Sequence, residues 1–187
     1  MAGGKSSRMG KDKGLKMINQ IRLIEYLLLT LRKIPSLDIV IIAHNKGYED
    51  FGVPIIEDVY KDKGPLGGIF TALSHTKEDA MIISVDTPFI SQENLMKLLK
   101  DQNKREVLFL ENNGKNFPLC AVYSIGLKER IEKRIKDNQL KLFDFLETVA
   151  LQALSIEMNP LERLNLNTPE DLFSAEQLLQ NENSNLW

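Results

Sequence analysis

Two stretches of nearly uninterrupted apolar residues, LDIVIIA at 37–43 and AMIISVD at 80–86, limit what this chain can fold into more than any other feature. Such runs have no polar face to turn toward water. They read as strands buried on both sides, in a parallel sheet covered by helices. The sequence around them supplies those helices. Ile21, Ile24, Leu27, Leu28, Leu31 and Ile34 recur at three- and four-residue spacing, which marks an amphipathic helix ending before Pro35. VPIIE is a short strand, and the glycine-rich turn GPLGG leads into a helix expected to open at Ile69. Thr87, Pro88 and Phe89 break the second apolar run before Ser91 caps a helix over 93–100. EVLFLE and CAVYS read as strands joined through the turn NNGKN, LKERIEKRIK as a helix and ALSIE as a short strand. Thr168, Pro169 and Asp171 then open a last helix as cap, first helical position and third residue after the cap. Strands alternating with helices predict a three-layer α/β domain with a mostly parallel sheet.

A length of 187 residues suits one domain, taken here as 1–187 with 180–187 as a fraying tail. A net charge of −2 disfavours wrapping of a nucleic-acid backbone but leaves room for a local basic patch. Cys120 is the sole cysteine, so no internal disulfide can form, and a reducing, cytoplasmic setting is expected. With only His44 and His75 beside it, a zinc site lacks ligands. The apolar runs are too short and too interrupted by charge for a membrane span or signal peptide.

The basic patch is the opening stretch, MAGGKSSRMGKDKG, and three phosphate-binding loops compete for it. Gly4, Lys5 and Ser6 match the end of a P-loop, but a P-loop runs straight into a helix, whereas Gly10 and Gly14 follow here. Each would cost about 1 kcal/mol inside a helix. A dinucleotide fingerprint fails on spacing, because Gly3 and Gly4 are adjacent and Gly10 comes late. A nucleotidyltransferase loop fits the residue order best: glycines let backbone N–H groups approach a triphosphate, and Arg8 and Lys13 add mobile positive charge. A solvated basic N-terminus is the plain alternative. Phosphate loops in α/β domains follow the first strand, yet this one begins at residue 2. The expectation is therefore that the first strand is missing or truncated and that the native chain begins several residues earlier.

AGGKSSRMGKDK resembles the LAGGxSxRMGxDK signature of the molybdenum cofactor guanylyltransferases, the MobA-like nucleotidyltransferases. IIEDVYKDKGPLGGI is similar to their ED…GPLxG segment, SVDTPFI to CDTPF, FPLCAVY to an HPxxAxY-type strand and NLNTPEDL to NxNTPEDL. Five motifs in the family's order cover nearly the whole chain. The resemblance implies a three-layer αβα Rossmann-like nucleotidyltransferase domain that transfers GMP from GTP to the terminal phosphate of molybdopterin, with or without its molybdenum, to make the molybdopterin guanine dinucleotide cofactor and pyrophosphate, with Mg²⁺ as cofactor. It implies transient contacts with other proteins of cofactor biosynthesis, and neither nucleic acid nor membrane as partner. Close alternatives are a cytidylyltransferase, another nucleotidyltransferase with a different phosphorylated acceptor, or a nucleotide-binding protein without turnover.

Asp86 lies at the carboxyl end of a buried strand, where ligands bind in open α/β sheets. A carboxylate there suits Mg²⁺, a hard cation held by one or two carboxylates plus substrate phosphates, though an aspartate before Thr87 and Pro88 also suits a turn. The resemblance makes Asp86 the metal ligand, completed by Asn167, and makes Arg8, Lys13 and Asp86 the catalytic set. It assigns nucleotide binding to Ala2, Gly3, Gly4, Lys13, Asn45, Asp58, Gly64, Pro65, Leu66 and Asp86, with the loop at 64–68 against the guanine base. Asp58, Asn167 and the glycines at 64–68 could equally serve ordinary turns. Phe117 stands where the family commonly has histidine, which leaves the acceptor contacts open. Cys120 reads as a small buried residue rather than a nucleophile, and neither His44 nor His75 is given a catalytic role.

Overall fold

The computed structural model describes residues 12–101 and 105–184. Asp12 caps a single 3-10 turn, Lys13–Leu15, and a tight hairpin follows, β1 (Met17–Ile18) with β2 (Ile21–Arg22). Asn19 and Gln20 both hold positive φ at its turn, the backbone that matches the twist of a two-residue hairpin. Helix α1 (Leu23–Leu31) buries Leu23, Ile24, Leu27, Leu28 and Leu31; Ile24, Leu27, Leu28 and Leu31 are the stripe the spacing predicts, whereas Ile21 lies in β2 and is exposed, and Ile34 is buried just beyond the helix.

The first long apolar run pairs less than expected. Only β3 (Ile41–Ile42) is paired, in parallel with β4 (Ile55–Ile56). The chain between these strands makes a 3-10 segment, Lys46–Phe51, that buries Tyr48 and Phe51. Helix α2 (Gly64–Ser74) opens at Gly64, five residues ahead of Ile69. The glycines do not delay it, because Gly64 takes the left-handed conformation at φ 59° and Pro65 follows in the first turn, where an N–H would have no helical partner.

The second apolar run forms β5 (Ala80–Ile83), and Ser91 caps α3 (Gln92–Lys100) by accepting the Asn94 N–H at 3.2 Å. Then β6 (Val107–Asn112) and β7 (Lys115–Tyr123) form a hairpin through Asn113 and Gly114, both at positive φ. Helix α4 (Lys128–Lys136) follows, then a short α5 (Leu142–Leu146), β8 (Leu151–Ser155) and α6 (Pro169–Ser184). The four-stranded sheet runs β5-β7-β6-β8, with β7 antiparallel to both neighbours and β6 parallel to β8. It is mixed rather than wholly parallel because the NNGK turn is too short for a crossover and forces β6 and β7 antiparallel.

Helices cover both sheet faces, as in a three-layer domain. Leu66, Ile69, Phe70 and Leu73 of α2 pack with Ile131, Ile135 and Phe145 against Ile82, Phe109 and Ala121. On the other face Leu27 and Leu31 of α1 and Leu95 and Leu98 of α3 meet Ile83, Leu108 and Leu110. A third cluster joins Ile18, Leu23, Ile41, Tyr48, Val85 and Leu166 near the carboxyl ends of β3 and β5.

Candidate active site

At the carboxyl end of β5, Ser84 N–H bonds the Leu119 carbonyl at 2.8 Å, and the chain then leaves the sheet through Asp86 and a buried Thr87. The Asp86 backbone carbonyl accepts the Leu166 N–H at 2.9 Å, which fixes the segment before α6 against this strand end. The Asp86 carboxylate also accepts the Ser84 hydroxyl, and its side chain remains 24% exposed.

Lys13 reaches this carboxylate from the other side. Its Nζ donates to Asn167 Oδ1 at 2.7 Å and lies 3.8 Å from Asp86 Oδ2. Asn167 is held in turn by the start of α6: Asp171 Oδ2 accepts the N–H groups of Asn167 and Thr168, each at 2.8 Å, while Asp171 N–H donates to Thr168 Oγ1 at 3.2 Å. Those backbone donors lower the Asp171 carboxyl below its ordinary range.

Asp12, the neighbour of Lys13, anchors a second constellation. Its Oδ1 accepts the Tyr48 hydroxyl at 2.5 Å and the Gly14 N–H at 3.2 Å, and its Oδ2 accepts Asn45 Nδ2 at 3.4 Å. Burial, then the hydrogen bond to Asp12, raise the Tyr48 phenol above its ordinary value and keep the proton on it. Gly14 must be glycine here, because a Cβ would strike the Tyr48 hydroxyl and approach Val85 Cγ2 to 3.2 Å. Asn45 Oδ1 accepts the Gly47 N–H at 2.9 Å, which shapes the turn after β3.

One residue earlier in the chain, His44 Nε2 lies 3.2 Å from Asp58 Oδ2. Burial raises the Asp58 carboxyl, and the charge and hydrogen bond of His44 oppose that rise. Val59 N–H bonds Thr71 Oγ1 at 3.0 Å, and Thr71 donates to the Gly67 carbonyl at 2.9 Å, so the segment after β4 is tied to the first turns of α2. Leu66 is fully buried in the core, so only its backbone is left for a ligand.

Of the residues singled out by sequence, Lys13, Asp86 and Asn167 thus form one cluster, with Asn45 beside it through Asp12. Asp58 pairs with His44, and Gly64, Pro65 and Leu66 stand at the start of α2. Ala2, Gly3, Gly4 and Arg8 lie outside the described residues. Sequence reasoning gave no role to Asp12 or Tyr48; the tyrosine carried no signal, and the aspartate stood in the quoted RMGKDK motif beside the lysine that was singled out. It also gave His44 no partner. Cys120 is buried and its thiol is pushed up to about 12 by burial, so it is an inert core group.

Asp86 and Asn167 present hard oxygen donors to the same ammonium group, so a cation is already held where they converge. One carboxylate and one amide oxygen suit Mg²⁺, which commonly takes its remaining ligands from phosphates and water. Among the described residues no cluster of three or more His, Cys, Asp or Glu forms a denser cage. No helix among them is long and apolar enough to cross a membrane.

Residues 1–151 match the MobA-like NTP transferase domain. A Flavobacterium johnsoniae protein named probable molybdenum cofactor guanylyltransferase is 36% identical over 175 residues, 92% of each chain. The molybdenum cofactor guanylyltransferase of Haemophilus influenzae is 30% identical over 181 residues, covering 92% of this chain and 93% of its own. The crystal structure of molybdopterin-guanine dinucleotide biosynthesis protein A from Archaeoglobus fulgidus superposes with a TM-score of 0.81 at 23% identity, covering 96% of each chain. That structure shares the fold, and the sequence matches carry the assignment further: this chain belongs to the MobA-like NTP transferase family.

Proposed function

We propose that the chain acts as a single guanylyltransferase domain in the cytoplasm, transferring GMP from GTP to the terminal phosphate of molybdopterin and releasing pyrophosphate. The observation that carries this reading is the convergence of Lys13, Asp86 and Asn167 at the carboxyl end of β5. The relatives named as guanylyltransferases match over nearly their whole length and give the reading its substrates.

In this reaction an oxygen of the acceptor phosphate attacks the α-phosphorus of GTP, and the bond from that phosphorus to the bridging oxygen of the β-phosphate breaks. The nucleophile is already an anion, so no general base is needed. The barrier lies in bringing anions together and stabilising charge on the leaving pyrophosphate, which makes positioning and electrostatics the main contributions. Lys13 supplies a mobile ammonium for the phosphates. Asp12, held by Tyr48 and Asn45, fixes the backbone from which Lys13 extends. Asp86 and Asn167 would hold Mg²⁺, which when bound offsets negative charge on phosphate oxygens. Ala2, Gly3, Gly4 and Arg8 are proposed to complete the triphosphate loop. Asn45 and Asp58, together with Gly64, Pro65 and the backbone of Leu66, are proposed to line the nucleoside.

Pyrophosphate release with Mg²⁺ and a molybdopterin acceptor, measured separately with GTP and with CTP, tests the reading. Release with GTP alone supports it. Release with CTP alone assigns a cytidylyltransferase, and release with neither leaves a nucleotide-binding protein without turnover.

A further inference from the structure

Asp86 and Asn167 reach the site on two separate stretches of chain, residues 84–91 after β5 and residues 157–168 ahead of α6. Beside the site the Leu166 N–H donates to the Asp86 carbonyl at 2.9 Å. A second tie lies farther back, and its centre is Glu162. Ser91 stands five residues beyond Asp86, and Glu162 stands five residues ahead of Asn167. Glu162 Oε1 accepts the Ser91 N–H at 2.8 Å and Asn94 Nδ2 at 3.0 Å, and its Oε2 accepts the Asn159 N–H at 3.0 Å. Asn159 Oδ1 accepts the Glu162 N–H at 2.9 Å in return, and Asn94 Nδ2 also donates to the Glu157 carbonyl at 3.1 Å.

Glu162 is 6% exposed, and these three hydrogen bonds all come from neutral N–H groups. Burying a carboxylate costs free energy that neutral donors offset only in part. A glutamine of the same shape would avoid the charge, but it offers a single acceptor oxygen, and its NH₂ would face either the Asn159 N–H or the two donors of residues 91–94. The carboxylate accepts on both oxygens at once, one toward the start of α3 and the other toward the turn at 159–162. The positive end of the α3 dipole also favours a negative charge there. Apolar contacts close around the tie, with Leu161 and Leu166 packed in the cluster of Val85, and Met158 in that of Ile90 and Leu95.

We propose that Glu162 is a positioning residue for the reaction: by clamping the stretch after Asp86 to the stretch before Asn167, it sets the separation of those two side chains and of the cation they hold. The inference rests on the reading that Asp86 and Asn167 bind the metal. Groups that hold metal ligands in place change metal affinity by about 10- to 100-fold when removed. A buried carboxylate that stabilises the fold without bearing on the site is the competing account.

Two measurements separate these accounts, and neither uses the reaction. Amide exchange by NMR, on the chain without metal or nucleotide, compares wild type with Glu162→Gln. Exchange at Leu166 should quicken by about tenfold or more, with Ala121 and Val122 of β7 unchanged. Titration with Mn²⁺ alone, followed by water-proton relaxation, should show an affinity about tenfold weaker in Glu162→Gln. Asn94→Ala, which removes one donor from Oε1, should lose less, and the double variant should lose less than the sum of the two. The proposal is overturned by equal quickening at all three amides, by no change at Leu166, or by an unchanged Mn²⁺ affinity in Glu162→Gln where Asp86→Ala loses it. If Asp86→Ala binds Mn²⁺ as wild type does, the metal reading is what fails, and exchange at Leu166 still decides for or against the clamp. If Glu162→Gln does not fold, Asn94→Ala carries both measurements in the same directions, and no change in either overturns the proposal.

Discussion

In the four-stranded sheet β7 runs for nine residues with partners on both edges, whereas β3 and β4 pair through two residues each. Their sequences do not explain the difference, since LDIVIIA carries four β-branched residues and the β7 segment KNFPLCAVY only one. The neighbours do. Strand propensity largely reflects packing against cross-strand partners, and residues 37–40 line a groove of about 490 Å³ toward β5 and are unpaired with any strand among the described residues. The lesson extends to the site. Asp86 hangs from the edge strand of the four-stranded half, Asn45 and Asp58 follow the thin half, and Lys13 and Asp12 bridge the seam between the two.

The sharpest contrast is in stability. Phe109→Ala, in the core of the four-stranded sheet, should destabilise by about 4 kcal/mol, because the packed surroundings cannot collapse into the void. Ile42→Ala, beside the groove, should cost no more than about 2 kcal/mol. Denaturant unfolding of both variants checks this, and equal costs would break the comparison. Next in size, Lys13→Ala should lower kcat/KM for GTP by about 100-fold, from loss of a charge-assisted contact to phosphate. Normal binding and turnover would remove the triphosphate site from this seam.

Tyr48→Phe should lower kcat/KM by about tenfold, because a hydrogen bond to a charged acceptor is worth about 1.5 kcal/mol or more. Asn45→Ala should fall in the same direction, and the two effects should be less than additive if both act through Asp12. The smallest effect belongs to the start of α6. Asp171→Ala should cost about 1 kcal/mol by removing the reciprocal cap that holds Asn167. Because the folded-state carboxyl is lowered, its contribution is present above the ordinary carboxylate range and is lost as the pH falls below about 4. Wild type and Asp171→Ala should therefore converge in stability on acidification; a constant gap from pH 7 to pH 3 would contradict this.

Local chemistry made much of this legible from sequence. The Ser91 cap, the turn at Asn113 and Gly114 and the Thr168–Asp171 box all act within a few residues, and each is found where the pattern puts it; the α1 stripe holds from Ile24 to Leu31 but not at Ile21. What escaped depends on partners distant in the chain. The length of β3 depends on its cross-strand partners, which among the described residues come from β4 alone, and α5, with only five residues, offers too few turns for a periodicity. The Asp12–Tyr48 bond joins positions 36 apart. The meeting of Lys13 with Asn167 spans 154 residues, yet both belonged to motifs, so resemblance reached where spacing could not.

Asp86 is where the site and the four-stranded sheet meet, and its metal dependence is the direct test. The rate of GTP-dependent pyrophosphate release should be titrated against Mg²⁺ for the wild-type chain and for Asp86→Ala. The expected result is a loss of about 1,000-fold or more in the variant at saturating GTP, with the Mg²⁺ response weakened. An unchanged rate with an unchanged Mg²⁺ dependence would contradict the placement of the metal and of the reacting phosphates at this strand end.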